Sequence, residues 1–471
     1  MAGRWSRFSR RAAVVRRADG SVLPTGPRAA TSTRIILTIT GSVIATAVLF
    51  GGGGTPAPVA EAAVEFFALL ALAVAVLVGV RPMRLLRVDI ALGVLVGAVL
   101  LFPLLQLLPL PPALWQALPG REAAVQAVAL AGGGRHWLSW SLLPDGTVAA
   151  IAALVPAVTV VLLTAALPLA HRVRLIGLIA VLGLVAATFG LLQFAAGAAG
   201  GLNPYGGGHE GWGTGFFANR NAQADFIAIA LTAGLLLASR RRVRLAGPVG
   251  IGLGIAALLM LAGGVASGSR MGMAVLCVPV VLAASLASRR VPVLAIGGAG
   301  VAALALAGGT ALDRVAARAH DAGNRTEIWG DSLYVARQVA PIGAGTGSFQ
   351  PLYAAAERLD HVQPTLANRA HNEYLELAIE GGAPALAVLA FAFALVARRS
   401  VAGWRDTDPD RQLLARFAGL TTLILAVHSV VDYPLRNLTL LSVASLALAG
   451  LASVHSHANE HRAQMRTLIN A

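Results

Sequence analysis

Lysine is absent from the 471 residues, and cysteine occurs once, as Cys277. All 37 basic residues are therefore arginines. A single thiol excludes an intrachain disulfide and gives no indication of redox compartment. Charge is scarce too: 13% of residues are charged against 56% hydrophobic, and the mean hydropathy is +0.72. A soluble domain carries about 25% charged residues. The shortage excludes a soluble globular enzyme, a disordered tail and a nucleic-acid-binding module. The formal charge is nevertheless +15. A basic balance ordinarily points to nucleic acid or an acidic surface, but in this chain the placement of the charge matters more than its sum.

In place of charge the chain has long apolar runs, near 35–50, 62–80, 89–110, 147–170, 175–196, 216–238, 246–266, 271–288, 291–309, 383–397, 413–432 and 438–455. At about 20 apolar residues per membrane crossing, these twelve runs predict an all-α polytopic membrane protein with about twelve transmembrane helices. Glycine (52 residues) and alanine are abundant, as expected where membrane helices pack closely through small side chains. No internal repeat is evident.

The arginines sort by side. One set of alternate ends carries Arg81, Arg84 and Arg87; Arg172 and Arg174; Arg240, Arg241, Arg242 and Arg244; Arg289 and Arg290; Arg398, Arg399, Arg405, Arg411 and Arg416; and both tails. That side holds 26 arginines and the other 11. Positive charge marks the cytoplasmic side, so both termini are read as cytoplasmic. A cleavable signal is the alternative for the start. However, the charged region before the first run exceeds 30 residues and further spans follow, so 35–50 is read as a membrane helix. The predicted order is an Arg-rich cytoplasmic tail (1–33) near anionic headgroups, nine spans (34–309), a large outer loop (310–382), three spans (383–455) and a cytoplasmic tail (456–471).

Two outer connections are long. The first, 111–146, holds Trp115, Trp137 and Trp140, which are candidates for interfacial anchors. The second, 310–382, has six arginines against nine acidic residues, a mildly acidic segment in a basic protein. Asn324 followed by Glu327 resembles a capping box, predicting a helix that ends before Pro341. A second short helix is expected at 348–358 and a third from His371 to Gly381 and Gly382. Their amphipathic faces suggest helices lying on the membrane surface.

Some charges sit where they are costly. Arg220 lies just inside the sixth span and Arg270 lies between the seventh and eighth. An arginine at mid-membrane costs roughly 2.5–3.5 kcal/mol on insertion scales. Near the interface the cost is smaller, because the side chain can snorkel. The functional reason to keep them is an anion, since guanidinium makes bidentate hydrogen bonds to phosphate. The structural alternative is an interhelical ion pair, for example with Asp225. His371 is expected at a helix N-terminus, where the dipole disfavours imidazolium. A neutral histidine there can accept a proton, or it can simply cap the helix. Glu373 and Glu376 are close in sequence and would oppose the dipole. His428 and Asp432, four apart with Arg436 just beyond, share a helix face. They read as a supporting network or as a polar clasp. The segment DTDPD (406–410) reads as a solvated loop. No paired-carboxylate motif lies on the outer side, so neither a metal nor another cofactor is expected.

Four fragments now align with a known family. GTGFFANRNAQADFIAIAL, SGSRMG, NRTEIW with PIGAGTGSF, and AHNEYLELAIEGG occur in this order. Together they resemble the bacterial O-antigen ligase and O-antigen polymerase superfamily. FFANRN departs slightly from the tighter F-x-N-P/R-N of many members. The resemblance implies a glycosyltransferase at the periplasmic face of the bacterial inner membrane, with 310–382 as its large periplasmic loop between helices 9 and 10. The donor would be a glycan on undecaprenyl diphosphate, and the acceptor a hydroxyl of lipid A–core or of another glycan. Arg220, Arg270 and Arg325 would hold the diphosphate. His371 would act as the base or position the acceptor. Asn221, Asn372, Glu373, His428 and Asp432 would support them. Two arginines can stabilise a departing diphosphate without a metal or a general acid, and a single displacement would invert the anomeric centre. The leading reading is a ligase transferring a finished glycan. A polymerase using the same donor is the near alternative. A transporter fits less well, because the charges gather at the outer face rather than at mid-span. Membrane lipids are the other expected partners, and nucleic acid is not one.

Overall fold

The computed structural model describes residues 27–53, 58–81, 87–132, 136–198, 201–206, 209, 211–243, 247–286, 320–362 and 367–452. The expected Arg-rich tail up to residue 26, the ninth span at 291–309, the start of the long loop at 310–319 and the C-terminal tail at 456–471 lie outside the described residues.

The chain is an all-α polytopic membrane protein. Its helices are α1 (Pro27–Phe50), α2 (Pro58–Leu77), α3 (Ile90–Gln106), α4 (Pro112–Trp115), α5 (Glu122–Leu130), α6 (Pro144–Ala165), α7 (Leu169–Ala196), α8 (Arg220–Arg240), α9 (Pro248–Ala266), α10 (Arg270–Val275), α11 (Cys277–Leu286), α12 (His320–Val339), α13 (Phe349–Ala356), α14 (Glu373–Gly403), α15 (Pro409–His428) and α16 (Leu438–Gly450). Among the described residues, seven helices are long and apolar enough to cross a membrane: α1, α2, α6, α7, α8, α9 and α14. Three shorter apolar helices accompany them: α3, α10 continuing into α11, and α16. One two-residue antiparallel ladder pairs β1 (Pro109–Leu110) with β2 (Leu138–Ser139).

Helix starts follow local chemistry. Side chains of Asp89, Asn219, Ser269, Asn372, Asp408 and Asn437 accept from first-turn amides of α3, α8, α10, α14, α15 and α16, as N-capping requires. Proline opens α6, α9 and α15, where the missing amide hydrogen has no intrahelical use. The segment DTDPD is a cap: Asp408 Oδ1 accepts from the Asp410 amide at 2.8 Å.

Two expectations differ from the structure. The first loop helix starts at His320, ahead of the expected start near Asn324. The eleventh span ends at His428, so Asp432 lies beyond it. The boundary expected between the third loop helix and the tenth span is present: α14 comprises two helices that meet at a kink at Gly382 (φ 60°, ψ −155°).

The helix at the centre is not the most apolar one. α8 packs against α7, α9, α11 and α15, and Phe226 through Ala230 are fully buried. Buried Gln223, Asp225 and Thr232 lie on the same helix. Small residues permit the close approach. A Cβ on Gly183 of α7 would lie 2.0 Å from the Ala230 Cβ, and one on Gly272 of α10 would lie 2.3 Å from the Ala224 Cβ. The exposed surface is apolar instead, with Phe66, Leu77, Ile90 and Val249 all outward. An apolar exterior is what a bilayer imposes, because lipid solvates apolar side chains and cannot satisfy polar ones.

The loop between α12 and α14 is folded. Val335, Phe349, Tyr353, Ala370 and Ile379 form a small core of their own. The PIGAGTGSF turn is clamped to the bundle: the Ala344 and Gly345 amides donate to Ile379 O and Glu380 O, both at 2.9 Å. Gln106 on α3 donates to Glu380 O and accepts from the Thr346 amide. Gly382 makes this closure possible, since a Cβ there would meet Pro341 O at 2.2 Å. Gly382→Ala should therefore lower the thermal midpoint of the detergent-solubilised protein, by a strain of about 1–3 kcal/mol. Gly330→Ala is the control: it sits in a helix with nothing within 4 Å of its added Cβ, and the substitution should leave or slightly raise the midpoint. Equal midpoints for the two variants would refute the clamp.

Candidate functional site

Arg220 and Arg270 each open a helix, α8 and α10, and these helices pack side by side. The loop before α8 joins them. The Gly213 amide donates to Ala266 O at 2.9 Å. Trp212 packs on Gly268, where a Cβ would lie 2.1 Å from the indole, and Gly268 has a left-handed φ of 64°. The Arg220 guanidinium lies over the other side of this junction, 5.3 Å from the Trp212 ring centre, a cation–π contact. Arg270 is exposed and forms no ion pair with any described residue. Asp225, the partner envisaged for Arg220, is bonded to His428 Nδ1 instead.

His371 precedes the cap of α14 and has a left-handed φ of 48°, uncommon outside glycine. Its neighbours hold it there. Trp329 Nε1 donates to Ala370 O at 3.0 Å and to His371 O at 3.3 Å. The Glu373 amide donates to Ser429 O and Asp432 O. The imidazole Nδ1 is 3.2 Å from Asp432 Oδ1, and the Tyr433 ring lies 5.2 Å away. Asp432 Oδ2 accepts from Asn219 at 3.0 Å and from Asn221 at 2.7 Å. Those two residues flank Arg220. Arg325 Nη1 donates to Val431 O at 3.0 Å, next to the same aspartate. Burial would raise the Asp432 carboxyl, but the hydrogen bond from His371 and the fields of His371, His428 and Arg325 hold it well below the usual carboxylate range.

A second cluster fixes this arrangement. Glu373, Glu376 and Glu380 project from one face of α14 and are all buried. Arg436 Nε donates to Glu373 Oε1 at 2.9 Å, and its Nη1 donates to Glu380 Oε2 at 2.7 Å. Arg369 Nη1 donates to Glu376 Oε1 at 2.8 Å. Burial would lower the Arg436 guanidinium, but Glu380, Glu376 and Glu373 raise it well above its ordinary value.

Of the residues expected from the sequence, His371, Asp432 and Asn221 come into one hydrogen-bonded network, with Arg325 beside it and Arg220 carried between Asn219 and Asn221. His428 is fully buried one layer below, on Asp225. Asn372 is a helix cap, its side chain spent on the Leu375 amide. Glu373 faces Arg436 rather than His371. Sequence reasoning passed over Asn219, Arg369, Glu380 and the role of Arg436. The spacing of three glutamates on one helical face, with two outer arginines nearby, was the available signal.

The cluster is testable by charge balance. Arg436→Met would leave buried carboxylates uncompensated, and breaking such a network costs about 3–5 kcal/mol. The thermal midpoint should fall sharply. Adding Glu373→Gln and Glu380→Gln should recover part of the loss, whereas a further fall would refute the charge-balance account.

No curated protein matches this chain. Residues 255–390 match the family model described as O-antigen ligase. The matched segment includes Arg270, Arg325, His371, Asn372 and Glu373, while Arg220, His428 and Asp432 lie outside it. That match, over residues 255–390, supports a place in the O-antigen ligase superfamily.

Proposed function

We propose that this protein is an O-antigen-ligase-type glycosyltransferase. It moves a glycan from undecaprenyl diphosphate to a hydroxyl of lipid A–core at the periplasmic face of the bacterial inner membrane. The observation that carries the reading is the His371–Asp432 hydrogen bond of 3.2 Å, formed at the end of the bundle where Arg220 and Arg270 open neighbouring helices.

The chemistry follows from which atoms are free. Asp432 occupies Nδ1 of His371, leaving Nε2 to take the proton of the acceptor hydroxyl. The ionised aspartate orients the ring and stabilises the imidazolium that forms. The acceptor oxygen attacks the anomeric carbon as the bond to the diphosphate oxygen breaks, inverting that centre in one displacement. Arg220 and Arg270, with Arg325 adding positive field, stabilise the charge that collects on the leaving diphosphate. A diphosphate already leaves as an anion, so this scheme requires neither a general acid nor a metal. The lipid-facing helices provide a surface for the polyprenyl tail. The folded loop from α12 to α14 would cover the headgroup.

His371→Gln should reduce transfer by about 10²–10⁴-fold, the usual contribution of a general base. Arg270→Ala should reduce it as well, with both variants present in membranes at the wild-type level. The assay is complementation of a deletion strain, read from the surface glycan on a gel. Long glycans left on the lipid carrier in the deletion indicate a ligase. Single repeats on lipid A–core indicate a polymerase. Full complementation by both variants would overturn the catalytic assignment.

A further inference from the structure

A small pocket opens beside the His371–Asp432 pair, lined by Asn219, Asp225, Asp432, Tyr433 and Asn437 with the backbone of Gly53. Backbone bonds hold its wall, from the Ala218 amide to Gly52 O at 2.9 Å and from the Thr439 amide to Gly51 O at 3.3 Å. Most polar atoms in the pocket have partners. His371 holds Asp432 Oδ1, and Asn219 and Asn221 hold its Oδ2. His428 holds Asp225 Oδ1.

Asn437 differs. It is only 3% exposed. Its Oδ1 accepts from the Leu440 amide at 3.2 Å, capping α16, and this fixes which way the amide points. Its Nδ2 has no hydrogen-bond partner among the described residues. A buried donor without an acceptor is unfavourable and uncommon, so this one is arranged for a group that enters the pocket.

The pocket's charge says which group. Two carboxylates, Asp225 and Asp432, line it, which repels an anion and so turns away the diphosphate. A cation would face the amide donor of Asn437. A hydroxyl fits both demands, because it accepts from an amide and donates to a carboxylate. We propose that this pocket is a subsite for a sugar hydroxyl of the glycosyl acceptor, with Asn437 donating to it as the positioning residue and Asp225 accepting from it. The assignment rests on the transferase reading above. It also gives α16, which lies outside the matched family domain, a part in acceptor choice.

The test uses the full chain in nanodiscs, with undecaprenyl-diphosphate-linked glycan as donor and lipid A–core as acceptor. Asn437→Ser keeps a capping oxygen and removes the amide donor. Asn437→Asp keeps the cap and puts a third carboxylate in the pocket. Asn437→Ser should raise the acceptor KM about tenfold, as expected for one lost hydrogen bond, and Asn437→Asp should raise it further. For Asn437→Ser, the donor KM, kcat at saturating acceptor and the thermal midpoint should stay close to wild type. Unchanged acceptor KM in both variants overturns the proposal. So does a parallel rise in donor KM, or a fall in midpoint with both constants unchanged, which would mark a site for structural water. Direct binding of lipid A–core, measured without donor, separates the two readings. If wild type binds but does not transfer, and Asn437→Ser weakens binding tenfold, the pocket stands and the transferase reading fails. If wild type transfers and Asn437→Ser binds equally well, the pocket fails alone. Absence of binding to wild type also overturns the subsite.

Discussion

Three glutamates packed out of water, with two partly buried arginines against them, set the geometry of one end of this protein. Glu373, Glu376 and Glu380 lie at one to two turns' spacing on α14, and all are buried. Such carboxylates are tolerable only with cations in contact. Arg436, arriving from the turn before α16, and Arg369, arriving from the loop, supply them. The pairing therefore ties two chain segments, the loop before α14 and the turn before α16, to one helix. The left-handed His371 lies between Arg369 and Glu373, and its unfavourable backbone is held by both flanks of this lattice. Backbone strain at such a position persists only when the surroundings over-determine it. Here they do, through Trp329, Ser429 and Asp432.

The opposite end uses arginine differently. Arg172 is almost wholly buried and donates to carbonyls at the ends of α6 and α16, including Ala165 O at 2.9 Å and Ala452 O at 2.7 Å. It satisfies acceptors that a helix C-terminus leaves open. Arg399 forks onto both oxygens of Asp89 at 2.7 and 2.6 Å, and Arg240 pairs with Asp410. Arginines that read in sequence as markers of orientation are also fasteners. The fork of donors explains how one residue type can do both: a guanidinium binds several acceptors at fixed angles.

Between the two ends the bundle is apolar outside, and its largely apolar core holds some buried polar side chains. α8 and α15 carry the buried Asp225–His428 pair, and Asp225 in turn lines the pocket beside Asp432. Buried polar side chains thus continue from the candidate site into the helices. Small residues, among them Gly183, Gly263 and Gly272, let helices approach until polar side chains meet across them.

The sequence by itself determined the solvent and the element type. Shortage of charge, long apolar runs and arginines at alternate ends are one-dimensional signals, because bilayer thickness acts on each segment separately. Candidate residues were legible where a charge sat at an unexpected place: Arg220, Arg270, His371 and Asp432. What it did not determine was who meets whom. His371 and Asp432 are 61 positions apart, Asp225 and His428 are 203 apart, and the glutamates nearest His371 turn away toward Arg436. Such pairings follow from the packing of α8, α14 and α15 against one another. Only the tertiary structure decides them, because the attraction between buried charges depends on distance in space and on exclusion of solvent, neither of which is written in the spacing along the chain.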